Sequence, residues 1–265
     1  MIIDKGFLQG IINDFANVGK VFTNERQFQF ELGLEMQRRF DREKTGYKVL
    51  FEVLSLNGSI TNFVTLSKEE KEKLYTDIIV DLGNDEYIAI ELKYKIAQKR
   101  SAVKALQYNC KSVDYYTFSQ GAYDIGCYDF WWDVNRLERL VARKIKYNFT
   151  DKKVIKGFSI IMTNDDNYQK THVGMFKNFF LVEGKEFKGK IQWSDKAGKN
   201  CAKYPGTAKS LLEDKGIDIS GTYKAEWKDY KLPSKTECYE IPSNSGSKKD
   251  DYEQYKFKYL IFEIK

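Results

Sequence analysis

Three charged residues, Asp77, Glu91 and Lys93, interrupt two otherwise apolar segments of this sequence. The segments flank Gly-Asn-Asp at residues 83–85, and their β-branched residues predict a β-hairpin with its turn there. Because side chains alternate faces along a strand, Glu91 and Lys93 share one face, and Asp77 on the opposing strand can join them. Two carboxylates and one ammonium group would then meet in an apolar setting, where charges need partners. A divalent cation would relieve this crowding of negative charge.

The elements that must position these residues can be predicted from the residues around them. Residues 23–25, Thr-Asn-Glu, are typical of a helix start, and the segment 27–39 that follows contains no proline. Apolar residues recur there every four positions and predict a buried stripe, with Glu31 and Glu35 at its margin. That stripe consists of Phe28, Leu32, Met36 and Phe40. Alternation over 47–56 predicts a strand before the hairpin.

After the hairpin, the pattern predicts helices over 97–118 and about 129–146, followed by a buried strand over 157–163. Helix, three strands, helices and a strand in this order indicate an α/β layer architecture. Beyond about residue 170, short apolar runs broken by Gly, Pro and Ser predict a β-rich C-terminal extension that packs on the core. Its final strand is expected at 255–264. We therefore divide the chain into a core, 1–170, and an extension, 171–265.

The order of helix, Asp77, hairpin, Glu91-Leu92-Lys93, helix and strand resembles the PD-(D/E)xK nuclease superfamily. The resemblance covers about residues 24–163, and it departs from the family pattern at Thr76, where a proline is expected. It implies a restriction-endonuclease-like core, with a mixed central β-sheet flanked by helices.

The same resemblance implies a role for each charged residue. Asp77 and Glu91 would bind Mg²⁺, with Mn²⁺ as a substitute, and Lys93 would position or activate the attacking water. A glutamate on the preceding helix often completes the site in this family, which makes Glu31 a further expected catalytic residue and metal ligand. Mg²⁺ suits such a site because it prefers oxygen ligands, and bound metal lowers the pKa of water.

We therefore expect a metal-dependent nuclease that hydrolyses phosphodiester bonds in DNA. One alternative is a non-catalytic nucleic-acid-binding or interaction protein that retains the fold. Another is an α/β protein whose charged hairpin is only a structural ion pair.

Several residue assignments have competitors. Asp81 shares the face of Asp77, but it lies at the hairpin mouth, where Asp is ordinary turn chemistry. Glu35 is the alternative to Glu31. Gln107 lies on the helix predicted after the hairpin and could point into the site or pack elsewhere.

A nucleic-acid partner is indicated by basic residues next to aromatic ones in and after the second hairpin strand. Lysine and arginine exceed acidic residues by 44 to 38, a net charge of +6 that permits an anionic partner. A solvated helix face is an equally good interpretation of the same residues. The candidate contacts are Lys95, Lys99, Arg100 and Lys104.

Other classes of function find no support in the sequence. No run of eighteen apolar residues predicts a membrane span, and the start lacks the pattern of a secretory signal, so we expect a cytoplasmic protein without membrane attachment. Four widely spaced cysteines and a single histidine, His172, do not suit structural zinc. Glycine-rich phosphate-binding motifs are absent from the sequence.

Overall fold

The computed structural model describes residues 1–55, 74–96, 123–143, 152–174, 176–194, 216–231 and 256–265. Three α-helices and eight β-strands lie in these ranges. The helices are α1 (Lys5–Asn17), α2 (Glu25–Arg42) and α3 (Tyr123–Val141). The strands are β1 (Lys48–Ser55), β2 (Leu74–Asp81), β3 (Glu86–Lys95), β4 (Lys153–Thr163), β5 (Glu186–Ile191), β6 (Ile217–Lys224), β7 (Lys228–Tyr230) and β8 (Phe257–Ile264).

Six of these strands form one sheet in the order β1-β2-β3-β4-β8-β7. The first three are successive antiparallel neighbours, whereas β3 and β4 run parallel. A parallel pair needs a crossover connection, and α3 lies within it. β8 and β7 complete the sheet in antiparallel pairing. The sheet is therefore mixed, and the prediction of an α/β fold with a mixed central sheet flanked by helices is confirmed.

The two faces of the sheet are covered differently. On one face lie α1 and α2, and the predicted stripe of α2, from Phe28 to Phe40, is fully buried against Ile78, Val80 and Ile90. On the other face lies α3, together with a two-stranded ribbon formed by β5 and β6. Since side chains of a strand alternate, odd-numbered residues of β2 and β3 face α3. Ile79 and Ala89 pack in that layer.

The start of α2 agrees with the sequence-based prediction. Asn24 caps the helix, because its side chain accepts a hydrogen bond from the backbone N–H of Gln27 at 2.8 Å. Glu25 consequently lies in the first turn of α2. This matters for the site, since the first turn faces the end of β3.

The start of α3 differs from the prediction by six residues, since the helix begins at Tyr123 instead of 129. Tertiary packing accounts for the difference. The ring of Tyr123 packs on Phe180 and His172, and the Tyr168 hydroxyl lies where a Cβ on Gly126 would stand. These contacts stabilise the first turns of α3, which the local sequence pattern does not predict as helical. The helix predicted over 97–118 lies outside the described residues.

The predicted final strand is present as β8, and it pairs with β4 from Gly157 to Thr163. The end of the chain thus adds a strand to the sheet that carries the hairpin. The division at about residue 170 stays a prediction. In the described ranges, no helix combines the length and the apolar character needed to cross a membrane.

A buried carboxylate joins α3 to the β5–β6 ribbon. Glu138 accepts hydrogen bonds from the backbone N–H groups of Ser220 and Gly221, both at 2.7 Å, and from the Tyr223 hydroxyl at 2.8 Å. Hydrogen bonds to a charged acceptor are stronger than neutral ones. Glu138 therefore fixes the ribbon against α3.

We predict that Glu138→Leu lowers the free energy of unfolding by about 3 kcal/mol, because three donors lose their buried acceptor. Glu138→Gln, which keeps one amide oxygen, should cost less. Urea denaturation followed by circular dichroism measures both values. Equal stability of the native chain and Glu138→Leu would contradict this role.

Candidate functional site

Strand pairing is interrupted at Asp77 on both sides of β2. Between β1 and β2 the register passes from Phe51 opposite Ile78 to Val53 opposite Thr76, without Asp77. Glu52, which would lie opposite Asp77, has a φ of 50°, in the left-handed region. Between β2 and β3 the paired residues end at Ile78 and Ile90. Asp77 is therefore an irregular position in the pairing of β2 with β1 and the position at which β2 separates from β3.

Carboxylates accept hydrogen bonds from the backbone N–H groups of β3 that have no partner on β2 beyond this separation. Continued pairing would place Leu92 opposite Thr76, but its N–H donates to Asp77 Oδ2 at 2.7 Å. Two residues further, the N–H of Tyr94 donates to Glu25 Oε2 at 2.9 Å. The carbonyl of Asp77 accepts from Gln29 Nε2 at 2.6 Å. Glu25 of α2 and Asp77 of β2 thus hold this part of β3 in place, and Gln29 joins α2 to β2.

Four charged side chains form a continuous chain between β3 and α3. Lys93 Nζ lies 2.6 Å from Asp133 Oδ2, and Arg136 Nη2 lies 3.1 Å from Asp133 Oδ1. The same Arg136 nitrogen lies 2.5 Å from Glu91 Oε2. Glu91 is 2% exposed and Asp133 6%. Residues i and i+3 of a helix share a face, so α3 presents Asp133 and Arg136 together to β3.

Burial controls the protonation of the two predicted metal ligands. It raises the pKa of Asp77 from 3.8 to about 6, although the Leu92 N–H and the charge of Lys93 act in the opposite direction. Burial likewise raises the pKa of Glu91 above its usual range, opposed by the nearby Arg136. The charges of Asp77 and Asp133 add to the rise at Glu91. Both carboxyls therefore lie in a setting that favours a cation.

Lys93 is held in its charged form. Burial alone would lower the pKa of this amine, but the charges of Asp133, Glu25 and Glu91 outweigh it and raise the pKa above its ordinary value. A permanently protonated amine cannot remove a proton from water. Lys93 can instead donate hydrogen bonds and offset negative charge.

The site carries an excess of acidic groups. In the described residues, five carboxylates and three cations interact electrostatically with one another around Lys93 and Arg136. Full ionisation would leave two negative charges, the amount that one divalent cation neutralises. The carboxylates are Glu25, Asp77, Glu91, Asp129 and Asp133, and the cations are Lys93, Lys95 and Arg136.

The donor set is compatible with Mg²⁺. Glu91 Oε1 is buried and has no hydrogen-bond partner among the described residues, so one ligand oxygen is available. In the same part of the chain, no three acidic, histidine or cysteine side chains are arranged to hold a metal by themselves. Mg²⁺ needs only one or two carboxylates, since it retains several waters. Asp77 and Glu91 fit that requirement.

Of the four predicted catalytic residues, the structure brings together Asp77, Glu91 and Lys93 and places Glu31 elsewhere. The Glu31 carboxylate forms an ion pair with Lys20 Nζ at 2.6 Å. Glu31 follows Glu25 by six residues, which amounts to about 9 Å along the axis of α2. Glu25 is the glutamate of α2 that reaches the end of β3. The role of Glu31 stays a prediction without geometric support.

The remaining predicted residues have ordinary partners or lie outside the described ranges. Glu35 pairs with Arg39 at 3.2 Å, and Asp81 binds the Gly83 N–H and Lys152 Nζ, both at 2.8 Å. Lys95 ends β3 on the face of Lys93, half-buried. Lys99, Arg100, Lys104 and Gln107 lie in the segment 97–122, outside the described residues.

His172 has structural partners. Its Nε2 lies 2.9 Å from the carbonyl oxygen of Asn167, and its ring packs against Tyr123 and Phe180. The histidine therefore belongs to the packing around the start of α3.

Sequence reasoning missed Glu25, Asp129, Asp133 and Arg136. A signal for two of them existed, because Asp133 lies within the buried stripe of α3 and Arg136 lies half-buried at its margin, next to Leu137. Charges in such a stripe need partners in the layer below. Glu25 resembled an ordinary first-turn acidic residue, and only the approach of α2 to β3 reveals its contact with Tyr94.

Compared with protein-family models, with curated proteins and with solved structures, the chain has no match. A functional assignment therefore depends on the side chains of the site and on their positions in the fold.

We predict that Asp77→Asn stabilises the metal-free protein at pH 7.5. The folded chain keeps a proton on Asp77 up to about pH 6, whereas the unfolded chain loses it near 3.8. The folded state thus binds more protons in this interval, and its stability falls as pH rises through it. The difference corresponds to about 3 kcal/mol at neutral pH, which the amide avoids.

Urea denaturation at pH 3.5 and pH 7.5 measures this effect, with EDTA present at the higher pH. The gain from Asp77→Asn should be present at pH 7.5 and absent at pH 3.5. Asp81→Asn is the matched control, because burial of Asp81 is outweighed by the combined effect of the hydrogen bonds from Lys152 and the Gly83 N–H and the charges of Lys152 and Lys48, so that the pKa of Asp81 is lowered. That variant should gain nothing at pH 7.5, and a gain equal to that of Asp77→Asn would refute the assignment.

A second prediction distinguishes the two glutamates of α2. Glu25→Gln should weaken Mg²⁺ binding about tenfold, because one negative charge near Asp77 and Lys93 is lost while the side chain keeps its shape. Glu31→Gln should leave the affinity unchanged. Isothermal titration calorimetry with Mg²⁺ measures both, and a larger loss in Glu31→Gln would restore Glu31 as the site residue.

Proposed function

We propose that this protein is a metal-dependent nuclease that hydrolyses phosphodiester bonds, with DNA as its substrate. The observation that carries the proposal is the meeting of Asp77, Glu91 and Lys93 on one face of the sheet, where β2 separates from β3. Two carboxylates with raised pKa values beside a charged amine form the minimal set for metal-assisted attack on phosphate.

The arrangement of elements supports a restriction-endonuclease-like core over residues 24–163. α2 precedes three antiparallel strands, α3 follows them, and β4 returns parallel to β3. Helix, hairpin, helix and strand in this order are what the resemblance to PD-(D/E)xK nucleases implies. The Asp and the Glu-x-Lys sequence then fall on adjacent strands at the point of separation.

In this proposal Asp77 and Glu91 hold Mg²⁺ or Mn²⁺. The bound metal would supply Lewis acidity and a water of lowered pKa. Lys93 donates hydrogen bonds to the attacking water or to a phosphate oxygen and offsets the negative charge that develops there. The Leu92 N–H fixes one oxygen of Asp77, which limits rotation of that carboxylate.

A non-catalytic nucleic-acid-binding protein of the same fold is the second candidate. The observation in its favour is that Arg136 already binds Glu91, and Asp133 already binds Lys93. Charged side chains that are already paired with one another can have a purely structural role. The two candidates differ in whether Mg²⁺ causes cleavage of bound DNA.

We expect the purified chain to cleave DNA in Mg²⁺ or Mn²⁺ and not in EDTA. Duplex, single-stranded and branched DNA, with RNA as comparison, should be tested by gel assay. Asp77→Asn, Glu91→Gln and Lys93→Met should each lower the cleavage rate about 100-fold or more, since each removes a charge from the reacting region. Circular dichroism verifies that the variants fold.

Asp81→Asn is the control for the loss of a carboxylate from the same face of β2, and it should cleave at the native rate. Full activity in both Asp77→Asn and Lys93→Met would show that the site is assigned wrongly. Binding of DNA without cleavage of any form in either metal would favour the second candidate.

A further inference from the structure

The helix α3 contributes two charged residues that the proposed chemistry does not use directly. Asp133 and Arg136 stand three residues apart, and both point from α3 toward β3, Asp133 from the buried stripe and Arg136 from its half-buried margin. Placing charges at such positions is costly unless each finds a partner. Their partners are Lys93 and Glu91, two of the three residues to which the proposed function assigns chemistry.

Arg136 holds one oxygen of Glu91 and leaves the other available. Its Nη2 contacts Oε2 at 2.5 Å, whereas Oε1 is buried and has no hydrogen-bond partner among the described residues. A carboxylate bound through one oxygen has a fixed orientation. The fixed side chain presents Oε1 in one direction, as a ligand for a cation requires.

Asp133 performs the equivalent task for Lys93. Its Oδ2 lies 2.6 Å from Lys93 Nζ, and its Oδ1 lies 3.1 Å from Arg136 Nη2. Asp133 thus joins the amine and the guanidinium into one unit. Without this ion pair, the flexible Lys93 side chain would lose considerable rotamer entropy on contacting the water or the phosphate.

We propose that Asp133 and Arg136 are positioning residues of the metal site, Arg136 for the Glu91 carboxylate and Asp133 for the Lys93 amine. The inference rests on the proposed nuclease function. It assigns the metal affinity to Arg136 and the rate at saturating metal to Asp133. A merely structural ion-pair network would affect stability without separating these two quantities.

The test compares Arg136→Gln, Arg136→Lys and Asp133→Asn with the native chain. Mg²⁺ affinity is measured by isothermal titration calorimetry, and cleavage is measured as a function of Mg²⁺ concentration. Arg136→Gln should weaken Mg²⁺ affinity about 10- to 100-fold, with much of the rate recovered at high metal concentration. Arg136→Lys, which keeps the charge but not the planar fork, should lie between it and the native chain.

Asp133→Asn should show the complementary result, a cleavage rate at saturating Mg²⁺ that falls about tenfold or more while the affinity changes little. Arg139→Gln removes an arginine from the next turn of the same helix and should change neither quantity. If Arg136→Gln does not fold, Arg136→Lys carries the test of affinity, and circular dichroism identifies that case.

The outcomes separate this inference from the function on which it rests. A native chain that neither binds Mg²⁺ nor cleaves DNA would overturn both. Where the native chain binds and cleaves, unchanged Mg²⁺ affinity in the folded Arg136 variants would overturn the positioning role alone. Tighter binding in Arg136→Gln would also overturn it, since Arg136 would then compete with the cation for Glu91.

Discussion

The hydrogen bond from the Leu92 N–H to the Asp77 carboxylate is the interaction on which the site depends. A regular hairpin would have continued its backbone ladder there and kept the two strands together. The side-chain acceptor satisfies the amide while the strands separate. Glu25 repeats this solution at Tyr94. Side chains can converge at this point because these backbone N–H groups are hydrogen-bonded to carboxylates and not to the opposite strand.

The convergence has an energetic cost that the fold distributes over three elements. β2 contributes a carboxylate that is less stable in the folded state than in water, and β3 contributes Glu91 and Lys93. α3 supplies counterions of both signs through Asp133 and Arg136. Buried charges of this kind rarely increase stability, because desolvation offsets much of their attraction. Under the proposed function, this cost in stability serves the chemistry of the site.

The sequence predicts the hairpin and its shared face well because both follow from local rules. The turn at 83–85, the β-branched residues and the alternation of side chains place Glu91 with Lys93, and Asp77 follows from the pairing. The start of α2, which supports the site, also follows from local sequence, since Asn24 caps the helix. The position at which α2 packs on the sheet cannot be predicted from local sequence. Because of that position, Glu25 contacts β3, whereas Glu31, six residues later, does not. The contribution of α3 is equally non-local, because Asp133 lies 40 residues beyond Lys93 in the chain.

The position of β8 has a consequence for how the protein is made. β8 pairs with β4, although more than 90 residues separate the two strands in the chain. Pairing over such a distance is slow to form and cannot begin before residue 257 has left the ribosome. Until then β4 presents an open edge, which other strands can join. A nascent chain can therefore form the hairpin before β8 has been made, and the sheet is completed only after residue 257 emerges.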